Sequence, residues 1–170
     1  MSPAARAARV AVFALGVVWT SPNSLLGLIA GLACMPFGAR PRLRLGEYAL
    51  VFHRMPLGPG GAMTLGNVIL GTAEHLDARC RTYAHRAGWC EEPATRIGDH
   101  ERAHVLQYMA LGVFFLPLYF LHGGIHARNR FERAADRYAL TGEGWWPWSR
   151  GNGRRAYLAA RLAADAGGSQ

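Results

Sequence analysis

Lysine is absent from this 170-residue chain: all 19 of its basic residues are arginine, set against 11 acidic ones for a formal charge of +8. Alongside the many Ala and Gly residues, that reads as a coding bias rather than a functional choice. The arginines are scattered in small groups (Arg40, Arg42, Arg44; Arg79, Arg81, Arg86; Arg128, Arg130, Arg133, Arg137) with no dense tract and no interleaved aromatic ladder. A nucleic-acid partner is therefore not expected, since neither a continuous phosphate-binding stripe nor a stacking platform is present. Cysteine is scarce too. Three residues, Cys34, Cys80 and Cys90, make no disulfide framework, although Cys80 and Cys90 could pair. The absence of any CxxC leaves a cysteine-based zinc site without support.

Long apolar runs are also missing. Val10 to Trp19 and Leu25 to Phe37 are each shorter than the roughly 20 residues of a straight membrane span, and the TSPNS break between them lacks a small-x-small cleavage pattern. Arg6 and Arg9 on one side and Arg40, Arg42 and Arg44 on the other flank the pair. Equal basic flanks favour a helical hairpin that dips into a bilayer from the cytoplasmic face and returns. Two helices of a soluble core are the alternative.

What is present suggests an α+β chain in three parts. Residues 1–40 form the apolar helical hairpin, 41–141 a mostly helical domain with a small antiparallel sheet, and 142–170 a Trp-rich loop and a closing helix. RLRLGEYALVFH (42–53) and GAMTLGNVILGT (61–72) are rich in strand formers and are joined by the turn-rich RMPLGPGG, which predicts one hairpin. His75 and His85 lie ten apart, share no helical face and read as solvated.

The chemistry concentrates in HERAH. On a helix, His100 and His104 at i and i+4 stand one turn apart on one face, where both reach a single metal ion at about 2.0 to 2.1 Å. Glu101 is placed to take a proton from a water that the metal acidifies. A third ligand is needed. The metzincin continuation is closed, because Gln107 and Ala110 stand where Gly and His would be required. NRFERAADRYAL instead offers Glu132 as ligand and Asp136, one turn on, as acceptor for a ligand imidazole. His126 is the alternative ligand. Tyr108, Tyr138 and His126 are candidate donors to a developing oxyanion. For Glu132 to reach the histidines the apolar run from Val105 to Leu121 must fold back, with Pro117 bending or ending the helix and Gly123–Gly124 allowing the reversal. Trp19, Trp145, Trp146 and Trp148 are candidate headgroup-level anchors, and a Trp-lined lid over the core is the other reading of the last three.

HERAH followed by ERAAD resembles the HExxH and ExxAD pair of the gluzincin peptidases, in particular the membrane-associated prenyl-protease and heat-shock-protease group. The resemblance implies a zincin-like fold, Zn2+ held by His100, His104 and Glu132, Glu101 as base and Asp136 supporting a histidine. SPNSLLGL, TLGNVILG, HERAHVLQY and FFLPLYFL together resemble a family of small, uncharacterised bacterial proteins with an HERxHxxQY signature, from which this chain departs at Asn67, where histidine is usual. The expected function is zinc-dependent hydrolysis of a peptide or protein at the cytoplasmic face of a bacterial inner membrane, in contact with lipid. A non-catalytic, membrane-peripheral zinc-binding scaffold or a soluble cytoplasmic protein are the alternatives.

Overall fold

The computed structural model describes residues 3–58, 61–88 and 94–149. Cys90, the possible partner of Cys80, and the expected closing helix lie outside those residues. Cys34 and Cys80 are free thiols.

Helices α1 (Pro3–Trp19) and α2 (Ser21–Ala33) meet at 95°. The expected hairpin is thus an elbow, and Pro22 explains it: a proline at the second position of α2 has no N–H for the Val18 carbonyl and its ring crowds that oxygen. The bend is riveted from below. Thr20 Oγ1 donates to Asn67 Oδ1 at 2.7 Å, Asn67 N donates to Ser24 Oγ at 2.9 Å and Asn67 Nδ2 donates to the Tyr48 carbonyl at 2.7 Å. Because the single Thr20 proton goes to Asn67, Ser24 must donate back to Thr20 across their 2.7 Å contact.

Each of the two expected strands is itself a hairpin. β1 (Arg40–Arg44) pairs antiparallel with β2 (Ala49–His53), and β3 (Ala62–Leu65) antiparallel with β4 (Val68–Gly71) through a two-residue Gly66–Asn67 turn. The expected antiparallel sheet is mixed, because β2 and β4 run parallel and give the order β1-β2-β4-β3. The central strands are covered on both sides. Ala49, Val51 and Ile69 point into one cluster with Leu76, Ile97 and Val105, while Phe52, Val68 and Leu70 point into another with Ala39 and Met55. Period-two alternation thus feeds two cores at once, which explains why these strands read as almost continuous apolar runs.

α2 lies directly on the second of these faces through a stripe of small residues. A Cβ on Gly31 would sit 2.3 Å from the Phe52 ring, so only glycine permits the approach. A short ribbon of β5 (Arg79–Cys80) and β6 (Thr95–Arg96), with the one-turn α3 (Tyr83–Arg86) between them, leads into α4 (Ile97–Leu111) on the opposite face of the sheet. α4 ends at Gly112, whose φ of 56° and contact with the Trp19 indole exclude a side chain. Pro117 therefore does not end that helix. It sits in the first turn of α5 (Phe115–Leu121), where its missing N–H costs little.

The chain then reverses through Gly123–Gly124 into α6 (Arg130–Thr141). Buried Asn129 holds this turn together: its Nδ2 donates to the Tyr119 and Gly124 carbonyls, and its Oδ1 caps α6 by accepting from Phe131 N at 2.9 Å. α6 packs along α4, so that the layers run α2, sheet, α4, α6.

Candidate metal centre

The facing sides of α4 and α6 carry polar residues where a helix interface would ordinarily be apolar. His100, Glu101, His104 and Gln107 of α4 and Glu132 and Asp136 of α6 are all buried. His100, His104 and Glu132 bring one ligand atom each into a common group that can hold a metal ion. Their separations are 3.1 Å from His100 Nε2 to Glu132 Oε2, 3.2 Å between the two Nε2 atoms and 3.5 Å from His104 Nε2 to Glu132 Oε2. Two ligands of a tetrahedral ion with bonds of 2.0 to 2.1 Å lie about 3.3 to 3.4 Å apart, so the three atoms already outline one face of such a tetrahedron.

The surrounding hydrogen bonds fix what those atoms present. His100 Nδ1 donates to Asp136 Oδ1 at 2.9 Å. His104 Nδ1 donates to Gln107 Oε1 at 2.9 Å, and the amide cannot be turned round, because Gln107 Nε2 is committed to the carbonyls of Phe131 and Trp145. With both Nδ1 atoms protonated, both neutral imidazoles aim Nε2 lone pairs at the centre. Glu132 adds a third acceptor, held in place from behind by Tyr119, whose hydroxyl donates to Oε1. Three buried acceptors converge with no donor among them. A metal cation fits the arrangement, and the alternative occupant is a proton held between an imidazole and Glu132.

Protons compete for the same place. Burial alone would lower the pKa of His100, but the hydrogen bonds to Asp136 and Glu132 outweigh it and raise it well above its ordinary value. His104 is likewise raised, against the lowering effect of burial, chiefly by Glu132. Glu132 moves the other way: burial pushes it up, and the facing His104 and His100 bring it far below the carboxylate range.

Glu101 stands beside the centre on the side of the sheet. Its Oε2 accepts from Thr64 Oγ1 at 2.6 Å, while Oε1 takes no hydrogen bond from the described residues. β3 is an edge strand, and its register sets what the edge offers. Thr72 N donates to Gly61 O, and Leu65 and Val68 flank the turn, so residues 61, 63 and 65 direct their backbone groups at β4. Ala62 and Thr64 turn theirs to the open side, next to His100 and Glu101 in the same cleft.

Compared with protein-family models, curated proteins and solved structures, the chain matches none.

Of the residues singled out from sequence, His100, His104, Glu132, Glu101 and Asp136 are gathered here. His126 is not: it is exposed on the loop before α6 and its Nδ1 accepts from Arg128 N. Tyr108 lines the cleft, whereas Tyr138 packs against Ala103 and Ala135 and does not. Trp145 and Trp146 are half-buried, and with Trp148 they form an aromatic cluster that reaches His122 and Phe131. Trp19 is 57% exposed. Four contributors escaped the sequence reading: Thr64, Gln107, Tyr119 and Asn129. Only Gln107 carried a signal, three residues after a ligand histidine on the same helical face.

Proposed function

We propose that this protein is a zinc-dependent peptidase of zincin-like architecture, acting on peptide or protein substrates beside a membrane. The observation that carries the proposal is the convergence of three acceptor atoms at tetrahedral spacing on a cleft floored by a carboxylate. His100, His104 and Glu132 would hold the zinc, which when bound would supply a Lewis acid that polarises a carbonyl and acidifies water.

The chain's own residues supply the rest. Asp136 and Gln107 hold the imidazoles in the tautomer that ligates, and Tyr119 keeps one oxygen of Glu132 turned toward the histidines. Thr64 fixes Glu101 through Oε2, leaving Oε1 to hold the proton lost by the attacking water and to deliver it to the departing amine. The open backbone groups of Ala62 and Thr64 suit an extended peptide, which strand addition orients without reading its side chains. The resemblance of HERAH and ERAAD to the gluzincin motifs supports the same assignment.

Lipid contact rests on the elbow. Val12, Leu15, Val18 and Trp19 of α1 and Leu25, Leu26, Ile29 and Leu32 of α2 are exposed, and Arg6, Arg40 and Arg42 are exposed near their outer ends. Apolar surface flanked by guanidinium groups matches an interfacial site at anionic lipid, consistent with the cytoplasmic face of a bacterial inner membrane.

The test is Glu101→Gln. The variant should retain one zinc per chain and lose about 10²- to 10⁴-fold in the rate of peptide hydrolysis. Undiminished hydrolysis would remove Glu101 as the base. Full zinc content with no hydrolysis even in the wild type would favour the non-catalytic scaffold.

A further inference from the structure

The cleft has two lobes of opposite character, divided by Tyr83, His100 and Glu101, which line both. One lobe is walled by Met63, Leu65, Leu116, Phe120 and Ile125 on its apolar side and by the metal-binding group on the other, with about 100 Å³ of space open to the surface. That is below the roughly 150 Å³ of a cavity that holds a benzene ring, so an aliphatic side chain fits better than a large aromatic one. Tyr108 also lines this lobe. It is fully buried, and among the described residues its hydroxyl has no hydrogen-bond partner, although that oxygen is itself closed off from the cleft.

The other lobe, of about 30 Å³, has no room for a side chain and is bordered by Arg81 and Arg86, both exposed. Its two carboxylates are already engaged, Glu101 by Thr64 and Asp136 by His100. Among the described residues neither arginine has a carboxylate partner, and the Arg86 guanidinium lies 5.7 Å from the centroid of the Tyr83 ring, at the divide between the lobes. β3 passes along both lobes, since Ala62 lines each of them.

From this layout we infer a substrate class: an extended peptide along the open edge of β3, with an aliphatic side chain in the apolar lobe and, across the scissile bond, a carboxylate held by Arg81 and Arg86. The carboxylate belongs to an Asp or Glu side chain or to a chain terminus; both sources present the oxygen pair that a guanidinium grips in bidentate fashion. This inference rests on the peptidase reading of the metal centre.

Zinc-loaded Glu101→Gln protein, which holds peptide without cutting it, provides the test by fluorescence anisotropy. The probes are end-blocked octapeptides with one central Leu and a single Glu or Lys placed in turn on either side, plus one version with a free C-terminal carboxylate. Glu should bind roughly five- to tenfold tighter than Lys on one side of the Leu only. Adding R81E and R86E should invert that order. If the free terminus alone reproduces the preference, the carboxylate is a chain end; if internal Glu does, it is a side chain. Zinc content measured on the same samples separates the two levels of failure. Zinc present with equal Glu and Lys binding, or with an order unmoved by charge reversal, overturns the inference and leaves the metal centre standing. Absence of zinc overturns both.

Discussion

The molecule contains two buried polar knots that solve opposite problems. At the elbow, Thr20, Ser24, Asn67 and the Tyr48 carbonyl form a closed circuit in which every donor finds an acceptor. At the α4–α6 interface, Asp136, Gln107 and Tyr119 take up every outward-facing group and leave His100 Nε2, His104 Nε2 and a Glu132 oxygen pointing at one another. A neutral circuit that satisfies itself is structural, because it needs nothing further. A circuit that leaves three acceptors converging on one point could hold a metal ion there, in competition with the protons that the same atoms attract.

The contrast can be broken most severely by removing a ligand. Glu132→Ala leaves two imidazoles without their carboxylate, and equilibrium dialysis should find stoichiometric zinc binding lost, while circular dichroism stays that of a folded protein. Persistence of tight binding would mean that another group completes the site.

Removing an orienting group should act more gently. Gln107→Ala or Asp136→Ala frees the imidazole tautomer, and competition with a chromophoric chelator should show zinc affinity 10- to 100-fold weaker. An unchanged affinity in either variant would reduce its hydrogen bond to packing. Asn67→Ala probes the other knot. It takes the acceptor from the buried Thr20 hydroxyl and the side-chain donor from the Tyr48 carbonyl, so chemical denaturation should show a loss of about 1 to 3 kcal/mol with zinc affinity unaltered. A large drop in zinc affinity would show that the two knots are coupled, against the separation drawn here.

The smallest effect is in pH. His100 has its pKa raised on folding, so the metal-free protein gains stability that is complete below the ordinary histidine value of 6.5 and is lost as pH climbs through the raised one. Glu132 is depressed, so its contribution is present above its ordinary 4.5 and is lost only as pH falls toward its lowered value. The chelator-treated protein should therefore be favoured between those two ordinary values and should melt progressively lower as pH rises above 6.5 toward the raised His100 value. The rise in Tm on adding zinc should grow over the same range. A zinc-induced shift that is flat in pH would contradict the competition between proton and metal.

Much of the centre was legible because its spacing is helical. HERAH and ERAAD each place their residues one turn apart, and no tertiary knowledge is needed to see that His100 and His104 share a face. Glu101 and Asp136 follow from the same period. Gln107 was visible only as the residue that closes the metzincin pattern, because its value lies in two carbonyls, of Phe131 and Trp145, that the fold brings to it from far along the chain. Tyr119 was hidden in an apolar run where one hydroxyl does not stand out. Thr64 was hidden on a strand.

The sheet was less legible for a related reason. Leu45 to Tyr48 turns the chain within a segment that reads as one strand, with Tyr48 at φ 52°, a conformation that its residue type does not advertise. The parallel contact of β2 with β4 is non-local, and alternation reports only which face a residue takes, not which strand lies beside it. The elbow in place of a hairpin is the exception: Pro22 was in plain sight, and the clash with the carbonyl four residues back is local physics.

The most direct test of the central claim is the metal content of the full-length protein, purified under zinc-replete conditions and measured by inductively coupled plasma mass spectrometry beside His104→Ala. The convergence of three acceptors predicts one zinc per wild-type chain and close to none in the variant. No zinc in the wild type, or equal zinc in both, would contradict it.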